Sequence, residues 1–156
     1  LAERMNVDRK EAKELIDGYF ETYPQVKAYM DKSIQVAREH GYVETIFHRK
    51  RFLPDINSRN AVVRGYAERN AINAPIQGSA ADIIKVAMAR IYERFKAEGL
   101  KAKMILQVHD ELNFSVPVKE KEIVEQVVIE EMEKAYRMHV PLKADCGWGT
   151  NWLQAH

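Results

Sequence analysis

Apolar residues in the first part of the chain recur at steps of three and four, which is the spacing of one face of an α-helix. The first such stripe runs over residues 8–20, with Asp8 as the expected N-cap. A second helix is expected after Pro24, and Gly41 stands where a helix commonly ends. The pattern therefore predicts two consecutive helices before residue 42.

Residues 42–53 have a different pattern. β-Branched and aromatic residues lie on both sides of a basic cluster, and the stretch stops at Pro54 and Asp55. This arrangement predicts a short, exposed β-hairpin.

The middle of the chain is predicted to be helical in two pieces. Residues 58–74 have a helical pattern, and Pro75, Gln77 and Gly78 are expected to interrupt it. Ser79 would then restart a helix, with Asp82 three residues on at the capping-box spacing. The apolar face of this second helix is the most regular in the chain and ends at Gly99. It consists of Ile83, Ile84, Ala87, Met88, Ile91 and Phe95.

The rest of the chain predicts two strands, a helix and a last strand. Residues 104–108 form a nearly continuous apolar run, and residues 112–116 alternate between apolar and polar. Residues 119–137 have helical spacing, and apolar side chains alternate again over residues 140–146. This order favours an α+β fold, in which a helical first half precedes an antiparallel sheet covered on one face by helices.

Composition narrows the class of protein without adding a function. The 156 residues are 46% apolar, which suits one hydrophobic core, and a net charge of +1 gives no global signal for nucleic acid. A lone Cys146 excludes an internal disulfide, and no zinc-binding spacing is present, so a reducing cytoplasm is expected. No apolar run is long enough to span a membrane. We also expect the protein to be a monomer. The first residue, Leu1, suggests a piece of a longer protein.

The turn at His109, Asp110 and Glu111 has unusual chemistry for a tight hairpin. Such turns normally take Gly or Asn where the backbone needs a positive φ. Two carboxylates at the end of an apolar strand would also offer hard oxygen ligands to Mg²⁺. The alternative, a solvated acidic turn without a function, stays open because Asp is itself a common turn residue.

Basic residues dominate the stretch from residue 48 to residue 69. Six of them stand against two acidic residues, so the stretch could hold phosphates electrostatically, although an ordinary solvated face would have the same composition. They are Arg49, Lys50, Arg51, Arg59, Arg64 and Arg69.

Arg69, Asn73 and Gln77 are spaced by four and would share one helix face. All three can donate hydrogen bonds, which suits the acceptors on the minor-groove edge of a DNA duplex. Polar residues at this spacing are, however, also typical of the solvent side of any helix.

Taken in order, these segments resemble the C-terminal part of family A DNA polymerases, the bacterial DNA polymerase I type. The resemblance covers the whole chain. Its most specific segments are Gln107-Val108-His109-Asp110-Glu111-Leu112, which resembles the family's motif C, and Asn73-Ala74-Pro75-Ile76-Gln77-Gly78-Ser79-Ala80-Ala81-Asp82, which resembles the entry to its long palm helix. The terminal Asn151-Trp152-Leu153-Gln154-Ala155-His156 also matches.

The resemblance implies roles for individual residues. Asp110 would be a ligand of two catalytic Mg²⁺ ions, with Glu111 beside it in a supporting role and His109 near the primer terminus. The three donors at residues 69, 73 and 77 would contact the primer-template minor groove, and Arg49 and Arg51 would belong to a basic loop. His48 stands where the family usually has glycine, which leaves the conformation of this hairpin open. Residues 1–65 would be part of the fingers, and residues 66–156 part of the palm.

The function implied is template-directed DNA polymerisation, with primer-template DNA and deoxynucleoside triphosphates as partners. The chain lacks the family's Asp-Tyr-Ser segment and its Arg-x-x-x-Lys fingers helix, so we expect the 156 residues to be inactive alone. Two alternatives remain, a non-catalytic duplex DNA-binding module and a metal-dependent nuclease. The nuclease is the weaker one, because the chain has no second carboxylate cluster.

Overall fold

The structure is a computed structural model that describes residues 2–155, with side chains from Glu3 onward. It divides into two compact units, residues 1–76 and 77–156. The elements are α1 (Ala2–Met5), α2 (Arg9–Thr22), α3 (Pro24–His40), β1 (Tyr42–Glu44), β2 (Lys50–Phe52), α4 (Ala61–Ala97), β3 (Lys103–Val108), β4 (Glu111–Ser115), a 3-10 turn (Val118–Glu120), α5 (Lys121–Glu133) and α6 (Trp152–Ala155). The α+β class is confirmed.

The ends of the first two long helices are those that the sequence predicts. The Asp8 side chain accepts a hydrogen bond from the Glu11 N–H at 2.8 Å and so caps the start of α2. Helix α3 ends at Gly41, whose φ of 76° is left-handed and whose N–H donates to the Ala37 carbonyl at 2.8 Å. Much of the apolar stripe of α2 is exposed, and Ala12 is the buried residue of this helix.

The predicted interruption at Pro75 is wrong, because α4 is one helix of 37 residues with Pro75 inside it. Proline removes one backbone donor, yet buried side chains anchor the helix on both sides, among them Ala71 before the proline and Ile84 after it. Ser79 is consequently a buried residue within the helix and not an N-cap. The side chain that caps α4 is Asn60, which accepts hydrogen bonds from the N–H groups of residues 62 and 63.

The first unit has a small core beneath the first hairpin. Strands β1 and β2 pair antiparallel, with Tyr42 opposite Phe52 and Glu44 opposite Lys50. All of β2 is exposed, as predicted, whereas Val43 of β1 is buried. The core residues are Ala37, Val43, Leu53, Ile56, Ala67 and Ala71.

The second unit packs the β3–β4 hairpin on helices. Strands β3 and β4 are antiparallel, with an irregularity between Met104 and Leu106 that leaves Ile105 outside the pairing. Leu112 and Phe114 of β4 pack against a buried cluster, and the rings of Phe95 and Phe114 lie 5.8 Å apart. The buried residues of this cluster are Ala87, Ile91, Phe95, Ala102, Val124, Val127 and Ala135.

The predicted last strand at residues 140–146 is also wrong. Within the described part of the chain this segment has no strand partner and no regular structure. Side chains of α5 hold it instead: Glu133 accepts from the Ala144 N–H at 3.2 Å, and Glu125 accepts from the Trp148 indole at 2.6 Å. Of the alternating apolar residues, Leu142 and Ala144 are half-buried, whereas Val140 and Cys146 are exposed. Helix α5 runs from Lys121 to Glu133 and is therefore shorter than the helix predicted over residues 119–137.

None of the helices in the described range combines the length and the apolar character that a membrane crossing requires.

Stability at acidic pH should depend on an ion cluster between α4 and α5. Glu130 accepts hydrogen bonds from Lys134 at 2.6 Å and from Arg94 at 2.8 Å, which together lower its pKa from 4.5 to about 2. A carboxyl group with a depressed pKa stabilises the folded state above its unfolded pKa and loses this contribution as the pH falls. We expect the melting temperature of the chain to fall more steeply between pH 4.5 and pH 2 than that of Glu130→Gln.

Melting curves followed by circular dichroism would measure this difference. Glu122→Gln is a matched control on the same helix, since Glu122 has no ion pair among the described residues. Parallel pH profiles for the wild-type chain and Glu130→Gln would contradict the assignment.

Candidate functional site

The acidic turn lies at the end of the β3–β4 hairpin. Val108 pairs with Glu111, so His109 and Asp110 form a two-residue turn. His109 has a φ of 53°, in the left-handed region that favours glycine, and its carbonyl accepts a hydrogen bond from the Gln107 side chain at 2.6 Å. The turn thus holds a residue whose backbone conformation is unfavourable for a side chain, as the sequence predicted.

Asp110 is exposed at the tip of this turn. Its carboxylate makes no hydrogen bond or ion pair to any residue that the structure describes. An exposed carboxylate without a basic neighbour keeps its oxygens available to a divalent cation, and oxygen is the ligand that Mg²⁺ prefers.

Glu111 is half-buried and its carboxylate is held in place. Its Oε1 atom accepts a hydrogen bond from Asn113 Nδ2 at 2.9 Å and another from the Trp152 indole Nε1 at 2.7 Å. Trp152 was not among the site residues predicted from the sequence. It lies 41 positions from Glu111, and neither spacing nor periodicity indicates the contact.

The donor set at this turn fits part of a metal site. Asp110 and Glu111 are adjacent oxygen donors, but across residues 2–155 no group of three acidic, histidine or cysteine side chains could hold an ion. The fit is therefore to ions whose remaining ligands come from elsewhere, as the missing Asp-Tyr-Ser segment leads us to expect.

The basic residues of the first hairpin are exposed. Arg49 and Arg51 lie at the end of the loop and on β2, and the Lys50 ammonium lies 4.2 Å from the centre of the Tyr42 ring. Arg51 has no ion pair to a described residue, so its charge is not neutralised within the chain. The exposed guanidinium groups could contact phosphates.

His48 in the loop of this hairpin has a φ of 61°. Its Nδ1 lies 3.2 Å from Glu44 Oε2. A left-handed backbone favours glycine, the residue that the resemblance leads us to expect here, and in this chain the loop adopts it with histidine.

Arg69, Asn73 and Gln77 all lie on α4, and all three side chains are exposed. The Arg69 guanidinium lies 5.9 Å from the centre of the Tyr66 ring, which orients its planar group. Arg69 and Asn73 belong to the first unit, and Gln77 is the first residue of the second. Their exposure leaves the three side chains accessible, as a nucleic-acid contact requires.

Comparison with known proteins identifies the class. Residues 1–154 match the family model of DNA polymerase family A. DNA polymerase I of Caldicellulosiruptor bescii is 51% identical over 154 residues, and DNA polymerase I of Bacillus caldotenax is 52% identical over 155 residues. Each alignment covers 99% of this chain and 18% of the relative. The chain thus spans less than a fifth of the length of these relatives.

A solved structure agrees with this match. The POL domain of Pol1 from M. smegmatis, in complex with DNA primer-template and dNTP, superimposes with a TM-score of 0.97 at 44% sequence identity. The match covers 99% of this chain and 27% of that one. The chain belongs to DNA polymerase family A.

The strained turn should become more stable when His109 is replaced by glycine. Glycine adopts a positive φ without the steric cost that a side chain incurs, so we expect His109→Gly to raise the free energy of unfolding by up to about 1 kcal/mol. Denaturant unfolding would measure it. The reverse control is Gly99→Ala. Gly99 has a φ of 66° and no atom lies within 4 Å of an added Cβ, so this change should lower the free energy of unfolding by about the same amount. A lower free energy of unfolding in His109→Gly would contradict this, because the histidine side chain would then stabilise the fold by more than the backbone strain destabilises it.

Proposed function

We propose that this chain is part of a template-directed DNA polymerase that transfers a nucleotide from a deoxynucleoside triphosphate to a primer 3′-hydroxyl. The observation that carries the proposal is the exposed Asp110 carboxylate at the tip of the hairpin, within the segment that resembles motif C. Residues 1–65 would contribute to the fingers and residues 66–156 to the palm. The related M. smegmatis structure, which contains DNA primer-template and dNTP, supports the choice of substrates.

The chain's own residues would bind and orient the reacting groups. Asp110 would supply oxygen ligands to Mg²⁺, and Glu111 would support the same site through a carboxylate whose Oε1 is already fixed by two donors. When bound there, two such ions would supply charge stabilisation for the attacking and leaving oxygens. His109, whose side chain is exposed beside Asp110, would face the primer terminus.

The exposed donors of α4 and of the first hairpin would hold the duplex. Arg69, Asn73 and Gln77 would donate hydrogen bonds to the minor groove, where acceptors occupy nearly equivalent positions in A·T and T·A pairs. Contacts of this kind favour a correctly paired primer terminus with little dependence on sequence. Arg49 and Arg51 would contact phosphates, which position the duplex without reading its sequence.

Removing the charge of Asp110 should separate chemistry from binding. In the polymerase that contains this chain, we expect Asp110→Asn to lower primer extension by roughly 10³-fold or more, because a metal ligand contributes several kcal/mol to such a transfer. Duplex binding should not weaken, since a negative charge is removed. Extension assays and fluorescence anisotropy with a labelled primer-template would measure the two quantities.

Asp145→Asn is the matched control, because it makes the same charge change at an exposed position away from the turn. Near wild-type extension by Asp110→Asn would contradict the role of Asp110 in metal binding.

The chain alone should bind duplex DNA without extending it. Its carboxylates supply only part of a metal site, so primer extension by the purified 156 residues would contradict the proposal. We expect log K for duplex binding to fall with log salt at a slope of about −0.9 per phosphate contacted, and Arg49→Ala with Arg51→Ala to make that slope less steep. The control is Lys143→Ala, which removes a positive charge at an exposed position outside the first hairpin.

The same measurements separate the alternative, a non-catalytic duplex-binding module. Salt-dependent binding by the complete protein without any extension would favour the module. A profile independent of salt would argue against phosphate contacts in either function.

A further inference from the structure

The last turn of the chain reaches the acidic turn of the β3–β4 hairpin. Trp152 is the first residue of α6, and its indole Nε1 donates to Glu111 Oε1 at 2.7 Å. Both residues belong to the unit of residues 77–156. The chain terminus thus contacts a carboxylate next to Asp110.

Local hydrogen bonds fix the short helix that holds Trp152. The Asn151 side chain accepts from the Gln154 N–H at 3.1 Å. Gln154 Oε1 in turn accepts from the Thr150 N–H at 3.1 Å and from the Thr150 hydroxyl at 2.7 Å. These hydrogen bonds on both sides of Trp152 fix the position of its backbone.

Two glycines allow this turn to fold back on the preceding segment. A Cβ atom at Gly149 would lie 2.6 Å from Gln154 Cβ and 2.7 Å from the Ala155 nitrogen. A Cβ atom at Gly147 would overlap the Ala155 carbonyl oxygen. Any side chain at these positions would therefore displace the backbone of the last turn, and Trp152 with it.

The second tryptophan anchors the same segment elsewhere. Trp148 donates to Glu125 Oε2 of α5 at 2.6 Å, and the Lys121 ammonium lies 5.0 Å from the centre of its ring. One indole group thus bonds to α5 and the other bonds to the hairpin. Both hydrogen bonds run from an indole N–H to a carboxylate.

The hydrogen bond from Trp152 restricts the orientation of the Glu111 carboxylate, which lies next to Asp110. With Asn113 as the other donor, it holds Oε1 of Glu111 in one position. We propose that Trp152 is a positioning residue for Glu111, and that the turn of residues 149–155, which holds Trp152, supports the active site. The inference rests on the proposed polymerase function, which it extends to the C-terminal turn.

Removing the indole donor tests this role in the polymerase that contains the chain. We expect Trp152→Phe, which keeps an aromatic ring and loses the N–H, to lower kcat by roughly tenfold while the KM for dNTP and the affinity for duplex stay unchanged. Gly149→Ala should give a similar loss. Trp148→Phe, which breaks the equivalent bond to Glu125, should keep kcat close to wild type. Equal losses in the two tryptophan variants would overturn the proposal.

A double-mutant cycle separates positioning from a general structural effect. If Trp152 acts through Glu111, then Trp152→Phe should cost almost nothing in kcat when Glu111→Ala is already present. Losses that multiply in the double variant would overturn the proposal, since the tryptophan would then act without the carboxylate.

A spectroscopic measurement on the 156-residue chain checks the contact without activity. The chain has two tryptophans, so a ¹H–¹⁵N NMR spectrum has two indole signals, and Trp148→Phe assigns them. Glu111→Ala should move the Trp152 signal, whereas Glu125→Ala should move the Trp148 signal. A Trp152 signal that does not respond to Glu111→Ala overturns the proposal.

The two sets of results also distinguish the ways to fail. A responsive indole signal in the 156-residue chain, together with no primer extension by the complete protein that contains it, would overturn the proposed function, and the positioning role of Trp152 with it. Active polymerase with no effect of Trp152→Phe would overturn the positioning role alone.

Discussion

The structure of the candidate site depends on the packing of one face of β4 against α4 and α5. Leu112 and Phe114 face the buried cluster around Phe95, so the alternation of a strand directs Glu111 and Asn113 to the opposite face. The partial burial of these two large apolar side chains favours this register, because a slip of one residue would turn both away from the cluster. The apolar core thereby determines which way the carboxylate of Glu111 points.

Both hairpins turn through a histidine with a left-handed backbone, at His48 and at His109. Glycine would adopt this conformation at lower cost, so each histidine goes against the local backbone preference. At residue 109 the family resemblance gives a reason, since the side chain stands beside Asp110. At residue 48 the structure shows a contact with Glu44 but nothing that requires histidine.

Local signals in the sequence were sufficient for much of the fold. The cap at Asp8, the helix end at Gly41 and the short turn after Val108 all depend on contacts between neighbouring residues, and all three were predicted; the turn has two residues, because Glu111 already pairs with Val108. Local signals failed where distant contacts decide the outcome. Burial on both sides of Pro75 keeps α4 continuous, and residues 140–146 bond to α5 through the Ala144 N–H, which donates to Glu133, and not through strand pairing.

The candidate site divides in the same way. His109, Asp110 and Glu111 could be found from the sequence, because adjacent residues with poor turn chemistry form a visible motif. Trp152 could not, because its bond to Glu111 joins positions 41 residues apart, and no local pattern in the sequence indicates that they meet. In the proposed function the chain would supply only some of the metal ligands, yet it contains the hydrogen-bond donors that would orient one of them. A carboxylate that is oriented before its partners arrive loses less conformational freedom on binding, and this would give the contact a function in a site assembled from distant segments.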